Sequence, residues 1–236
     1  MRYLKTDKLY CFSPPIMIAT FFIEIICAIY VLFKYKVAPI PRLAVMILVG
    51  LAAFQLAEYN VCEGAWGMDS LMWARIGYVA ITLLPPLGFH LATKLAGEKR
   101  PVLVGAAYAS AAVFAFIFLF VGHGMQSQAC LGNYVIFTIA PWATALYSMY
   151  YYGWLMVGVG YAWKAGKTVA ANKRQALQAL AIGYLAFIVP TTIANVIDSS
   201  TIAGIPSIMC GFAVIWAIIL TTVVLPNYYK PEDSAK

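Results

Sequence analysis

The chain has 236 residues, 63% of them hydrophobic and 11% charged, with a formal net charge of +7 and a mean hydropathy of +0.82. That balance excludes an ordinary water-soluble domain and a disordered segment, so the function is expected within or across a lipid bilayer.

A helix that crosses a bilayer needs about 20 mostly apolar residues. Such stretches run from Pro14 to Phe33, Leu43 to Cys62, Leu71 to Leu95, Val102 to Val121, Trp142 to Trp163, Ala176 to Asp198 and Ile205 to Leu225. They are continuously apolar, whereas the strands of a membrane barrel alternate over about ten residues. The predicted fold class is an all-α integral membrane protein, one seven-helix bundle over residues 1–236.

Arg2, Lys5 and Lys8 precede the first stretch in the manner of a signal peptide. The apolar run is too long for one and is followed by no small-residue cleavage site, so it is expected to stay as helix 1. Ile25 and Ile26 before Cys27 argue against a lipoprotein site.

Orientation follows from the Lys and Arg between helices, which accumulate on the cytoplasmic side. The loop after helix 1 holds Lys34, Lys36 and Arg42, and that after helix 3 holds Lys94, Lys99 and Arg100. Lys164, Lys167, Lys173 and Arg174 follow helix 5, and Lys230 and Lys236 lie in the tail. The other side keeps Arg2, Lys5, Lys8 and Arg75, so the N terminus is expected outside and the C terminus in the cytoplasm. This bias accounts for the net positive charge, and no nucleic-acid partner is needed.

The connections are short apart from residues 122–141, where GHGMQSQACLGN lies in an outer loop of a length that favours a functional segment or a lid. Cys130 of that loop falls on the same side as Cys62 at the end of helix 2. In an oxidising exterior the two can form a disulfide; the alternative is a pair of free thiols. Cys11, Cys27 and Cys210 read as ordinary small side chains.

Charged residues inside the apolar stretches are more telling, because each costs about 2.5–3.5 kcal/mol at a helix centre. Glu24 stands at mid-depth in helix 1. Gln55, Glu58 and Asn60 occupy helix 2, Arg75 and His90 helix 3, and Asn195 and Asp198 helix 6. Because alternate helices run in opposite directions, Glu58, Asn60, Arg75, Asn195 and Asp198 all fall toward the outer face. Gln55 and Glu58, Arg75 and Tyr78, and Asn195 and Asp198 are each three apart, so each pair shares a helix face. Turned inward, these faces form an outward-opening ligand pocket under the long loop. An Arg75–Glu58 ion pair fits that pocket, and equally a simple tie between helices 2 and 3. His90 and His123 lie at opposite ends, so no metal or haem site and no other cofactor is expected.

Trp66, Trp73, Tyr35, Trp163, Tyr228 and Tyr229 fit interfacial belts. The run from Tyr147 through Tyr150, Tyr151 and Tyr152 to Trp154 points around helix 5 in every direction, so some of its rings must enter the bundle, as core or as pocket wall. Pro85 and Pro86 interrupt helix 3, and Pro190 interrupts helix 6.

The stretch Trp73-Ala-Arg75-Ile-Gly-Tyr78, followed by Leu84-Pro85-Pro86-Leu87, resembles the third helix of the seven-helix sensor region at the N terminus of many bacterial and archaeal histidine kinases. Glu58 and the spacing from Pro190 to Asn195 are similar too. The resemblance implies a ligand-sensing module in a prokaryotic inner membrane, with a small-molecule or lipid-derived ligand. After Leu225 only PNYYKPEDSAK remains, with no kinase core, so a signal is expected to pass to a separate signalling or membrane partner unless the chain is a piece of a longer one. No lysine in helix 7 is available for a retinal Schiff base. A small proton-coupled transporter would suit Glu24, although repeated halves are not visible. An accessory subunit of a membrane complex would use Gly153, Gly158 and Gly160 of helix 5. No nucleophile–base constellation appears, and an enzyme is not expected.

Overall fold

In a computed structural model, which describes residues 13–64, 67–121, 124–130 and 135–231, the chain is a helical membrane bundle. The readings placed on Arg2, Lys5, Lys8, Cys11, Trp66, His123 and Lys236 lie outside the described residues.

Helix α1 spans Pro14–Lys34 and α2 Pro39–Glu63. Prolines at the first turn start both, where the missing N–H has no intrahelical acceptor to lose. Because of Pro39 and Pro41, α2 begins four residues before the apolar run does. Gly64 ends it in the left-handed region at φ 68°. The third predicted helix is two, α3 (Ser70–Thr82) and α4 (Leu84–Ala96), meeting at Leu83. Leu83 keeps helical angles, so the two together make one apolar rod of 27 residues.

Helix α5 covers Pro101–Phe120, α6 Pro141–Ala165 and α7 Ala171–Ile197. A 3-10 turn at Ser199–Gly204 leads to α8, Ile205–Ile219. A π-helical turn at Leu220–Val224 joins α8 to α9, Leu225–Tyr229. Among the described residues, six helical stretches are long and apolar enough to cross a membrane. Helix α6 has the length, 25 residues, but is not one of the six, because its tyrosines dilute its hydropathy. Pro190 lies inside an unbroken α7, where the Thr191 and Thr192 hydroxyls fold back onto the Phe187 and Ile188 carbonyls.

The long connection before α6 is a β-hairpin, which the apolar pattern does not announce. Strand β1 (Met125–Cys130) pairs antiparallel with β2 (Val135–Ile139), with an irregularity between Met125 and Ser127. The hairpin turns Met125, Val135 and Phe137 into the bundle, while Thr138 faces out. It sits at the end where α2 stops and α6 starts. The connections with most of the described basic residues lie at the opposite end.

Small residues let the helices approach closely. Tyr184 of α7 fills a notch in α4 where a Cβ on Gly88 would fall on its hydroxyl. The preceding residue on α7, Gly183, leaves the same kind of space for Trp216 of α8. Both rings are almost wholly buried and pack with centroids 5.0 Å apart. At the basic end, the Asn172 side chain donates to the Lys230 carbonyl at 3.2 Å, and Tyr35 packs on Tyr229. The start and finish of the bundle are thereby joined. Helix α5 is the least enclosed: only 17% of its apolar window is buried, which leaves the rest for lipid.

Candidate functional site

A cavity of about 440 Å³ opens beneath the hairpin. Its aromatic side comes from Tyr78 of α3, Phe137 of β2, and Tyr147, Tyr151 and Tyr152 of α6. The rings are contiguous: Tyr78 lies 5.4 Å from Phe137 and 5.8 Å from Tyr147, which lies 5.8 Å from Tyr151. The opposite side is aliphatic, with Ile202 of the 3-10 turn and Ile205, Pro206 and Met209 of α8. Ile81 of α3, Ile139 of β2 and the hydroxyls of Thr138, Thr144, Ser148 and Ser199 complete the described lining.

Helix α6 builds one wall by its spacing. Thr144, Tyr147, Ser148, Tyr151 and Tyr152 recur at i, i+3, i+4, i+7 and i+8, one face of an α-helix. The wall is anchored to the break between α3 and α4. Pro86 has no N–H, so the Thr82 carbonyl four residues earlier loses its helical donor. Tyr150 donates its phenol to that carbonyl at 2.5 Å. The Thr82 hydroxyl donates to the Tyr78 carbonyl and accepts from the Tyr147 phenol at 3.0 Å. Every proton in this chain of bonds has an acceptor. Replacing Tyr150 with phenylalanine leaves the Thr82 carbonyl unpaired in the interior, and the expected loss of stability is about 1–3 kcal/mol. Unfolding in mild detergent measures it; a melting curve equal to the wild type's would show the bond to be dispensable.

Of the six residues expected to bind ligand, only Tyr78 lines the cavity. Gln55 and Glu58 are buried instead on the side of α2 that meets α1 and α8. Glu58 interacts with the Ser207 hydroxyl, which also accepts the Val135 backbone N–H at 3.2 Å, and lies within electrostatic range of Glu24, Tyr78 and Cys210. Thus Glu24 and Glu58, on neighbouring helices, converge on one buried cluster. Among the described residues neither Glu24 oxygen has a hydrogen-bond partner, and one Glu58 oxygen and the Gln55 Nε2 lack one as well.

The ion pair considered for Arg75 is absent: among the described residues none joins it to Glu58, and the buried Arg75 Nε has no hydrogen-bond partner. Burial of Glu58 toward α1 and α8 is the physical reason. Asn195 and Asp198 hold the turn after α7. The Thr201 hydroxyl lies 2.6 Å from Asn195 Oδ1 and 2.7 Å from the Asp198 carbonyl. Their short spacing therefore serves a helix end and leaves the cavity to others.

Cys62 and Cys130 are joined as a disulfide, with Cα atoms 5.7 Å apart, which ties β1 to the end of α2. Cys27 and Cys210 are free. His90 of α4 meets the Tyr108 phenol of α5 at 3.3 Å, a packing contact between neighbouring helices. Among the described residues no group of three or more His, Cys, Asp or Glu side chains is placed to hold a metal. No protein-family model matches the chain, and no curated protein matches its sequence.

Sequence reasoning weighed charged residues and so missed Phe137, Thr144, Ser148, Ile205 and Met209. The helical spacing of hydroxyl and tyrosine side chains along α6 was the signal available for part of this set.

Proposed function

We propose that this chain is a receptor-like membrane module that holds a small molecule in the hairpin-covered cavity and passes the occupancy signal to a separate cytoplasmic or membrane partner. In this reading α6 is a seventh span, lined with tyrosines because it faces a cavity. The N terminus lies outside and the C terminus in the cytoplasm of a prokaryotic inner membrane, in keeping with Lys34, Lys36, Lys99, Arg100, Lys164 and Lys167 at one end and the disulfide at the other. The likeness of the Trp73–Leu87 segment to histidine-kinase sensor regions supports the same view. The observation that carries the proposal is the cavity itself, whose volume falls within the range of about 300–1,000 Å³ typical of small-molecule sites.

A transmission route is built into the wall. Tyr147 lines the cavity and bonds Thr82 at the helix break, from which α4 continues to the basic end. A ligand that shifts Tyr147 acts directly on that break.

Native mass spectrometry of protein extracted under mild conditions tests the reading. A bound small molecule is expected on the wild type and not on Ser148→Trp, whose indole occupies the cavity; spectra free of any adduct on both would speak against a ligand site. A second reading, a proton-coupled carrier, draws on the convergence of Glu24 and Glu58, on which no cation acts among the described residues. In vesicles under an imposed pH gradient, proton entry that Glu24→Gln abolishes would favour the carrier over the receptor.

A further inference from the structure

The cavity also defines its ligand, an inference that rests on the receptor reading above. Among the described residues fifteen line it, and none of these is Asp, Glu, Lys, Arg or His. An ion entering it would exchange water for aromatic rings, aliphatic carbon and hydroxyls, with no opposite charge among these side chains, and uncompensated burial of charge is costly. The aromatic rings stand together on the α3, β2 and α6 side, flanked by Ile81 and Ile139, with aliphatic side chains of α8 and the 3-10 turn completing the wall. This is a slot with one aromatic face. A cage for an ammonium group needs rings on several sides of the cation.

The mouth is equally specific. The lining side chains that reach the surface are Thr138, Thr144, Ser148, Ser199 and Ile202, so the slot opens between α6 and the turn that follows α7. Beside it Val196 and Ile197 are 81% and 80% exposed, and Ile202 is 58% exposed. Apolar side chains this exposed at the ends of membrane helices belong against lipid. The opening therefore looks sideways toward the bilayer surface.

We infer that the cavity takes an uncharged, lipid-soluble aromatic molecule carrying one or two oxygen atoms, which enters laterally from the membrane, stacks on the Tyr78–Tyr147–Tyr151 wall and hydrogen-bonds the hydroxyls of α6. Thr144 and Ser148 are one turn apart on the face the ring meets; the Thr144 hydroxyl donates to the Ala140 carbonyl and so accepts from a phenol, while Ser148 suits a phenol or carbonyl oxygen at the slot's edge.

Three probes of one shape but different charge test this: 1-naphthol, 1-naphthoate and 1-naphthylmethylammonium, titrated calorimetrically into the full chain in lipid nanodiscs, with empty nanodiscs subtracted. Saturable binding of naphthol, at least about tenfold tighter than either ion, is the expected result. Ser148→Trp and, independently, Thr144→Trp should each weaken naphthol by about tenfold or more. Both substitutions are at the exposed mouth, and each variant is checked for monodisperse elution before titration. Tighter binding of either ion, lost in both Trp variants, would overturn the neutral-ligand inference while leaving the receptor reading intact. Absence of saturable binding by all three would count against both. Naphthol binding unaffected by the Trp variants would place the ligand outside the slot and overturn the inference.

Discussion

Replacing Glu24 with leucine should make the protein more stable, by about 2 kcal/mol. Most substitutions of a fully buried residue destabilise, so the sign is informative. Glu24 is 0% exposed in the middle of α1, and neither of its oxygens has a hydrogen-bond partner. Among the described residues the ionisable groups that act on it are Glu58 and Cys210, neither of which offers a positive charge. A polar group in that setting has given up water and received nothing in return. Leucine fills a similar volume without the desolvation cost and gains dispersion contacts with α2 and α8. Unfolding in detergent by circular dichroism, with wild type and Glu24→Gln alongside, reads the difference. A drop in midpoint for the leucine variant would mean that Glu24 has an unrecognised stabilising partner. A gain would identify the carboxyl as retained at a cost, as expected of a group kept for function.

Removing the Cys62–Cys130 disulfide should have an effect of similar size and opposite sign. The bridge closes a segment with a sequence separation of 68 residues, and chain-entropy arithmetic for such a loop gives about 4 kcal/mol at most. Helices that remain in the bilayer after unfolding keep part of that restraint, so about 2–4 kcal/mol is expected for Cys62→Ser/Cys130→Ser. The consequence for the site is local. Strand β1 loses its covalent hold on α2, and β2, which supplies Phe137, Thr138 and Ile139 to the cavity, is held only by pairing with β1 and by contacts such as Val135 to Ser207. Hydrogen exchange in residues 135–139 should therefore quicken in the double-serine variant, and any ligand that depends on the roof should bind more weakly. Unchanged exchange there would show that packing alone seats the hairpin.

The membrane character and most helix positions were legible because long runs of Leu, Ile, Val, Phe and Ala leave a chain no other way to satisfy its backbone in lipid. Pro14 starts the first helix in the sequence reading as in the structure, while Pro39, Pro101 and Pro141 start α2, α5 and α6 ahead of the apolar runs, by four residues at Pro39 and by one at the other two. The break at Leu83 follows in the same way from Pro85 and Pro86. The hairpin was not legible, since QSQAC and VIFTI take their strand form from pairing with each other and from the bundle beneath.

Depth along a helix can be counted from the sequence, which singles out Glu24 at mid-depth and Glu58 nearer the outer end; both are buried in the bundle. Which neighbour each face meets depends on how the helices rotate and cross, and that is settled by volume: Gly88 and Gly183 admit Tyr184 and Trp216 and so fix the approach of α4, α7 and α8. Tertiary packing alone turned Glu58 toward Glu24, left Arg75 without it, and gave the cavity to the tyrosines and hydroxyls of α6. The sequence by itself determined that there is a membrane bundle with a few expensive polar groups inside it; the packing of small residues against large ones decided where those groups meet and which side chains enclose empty space.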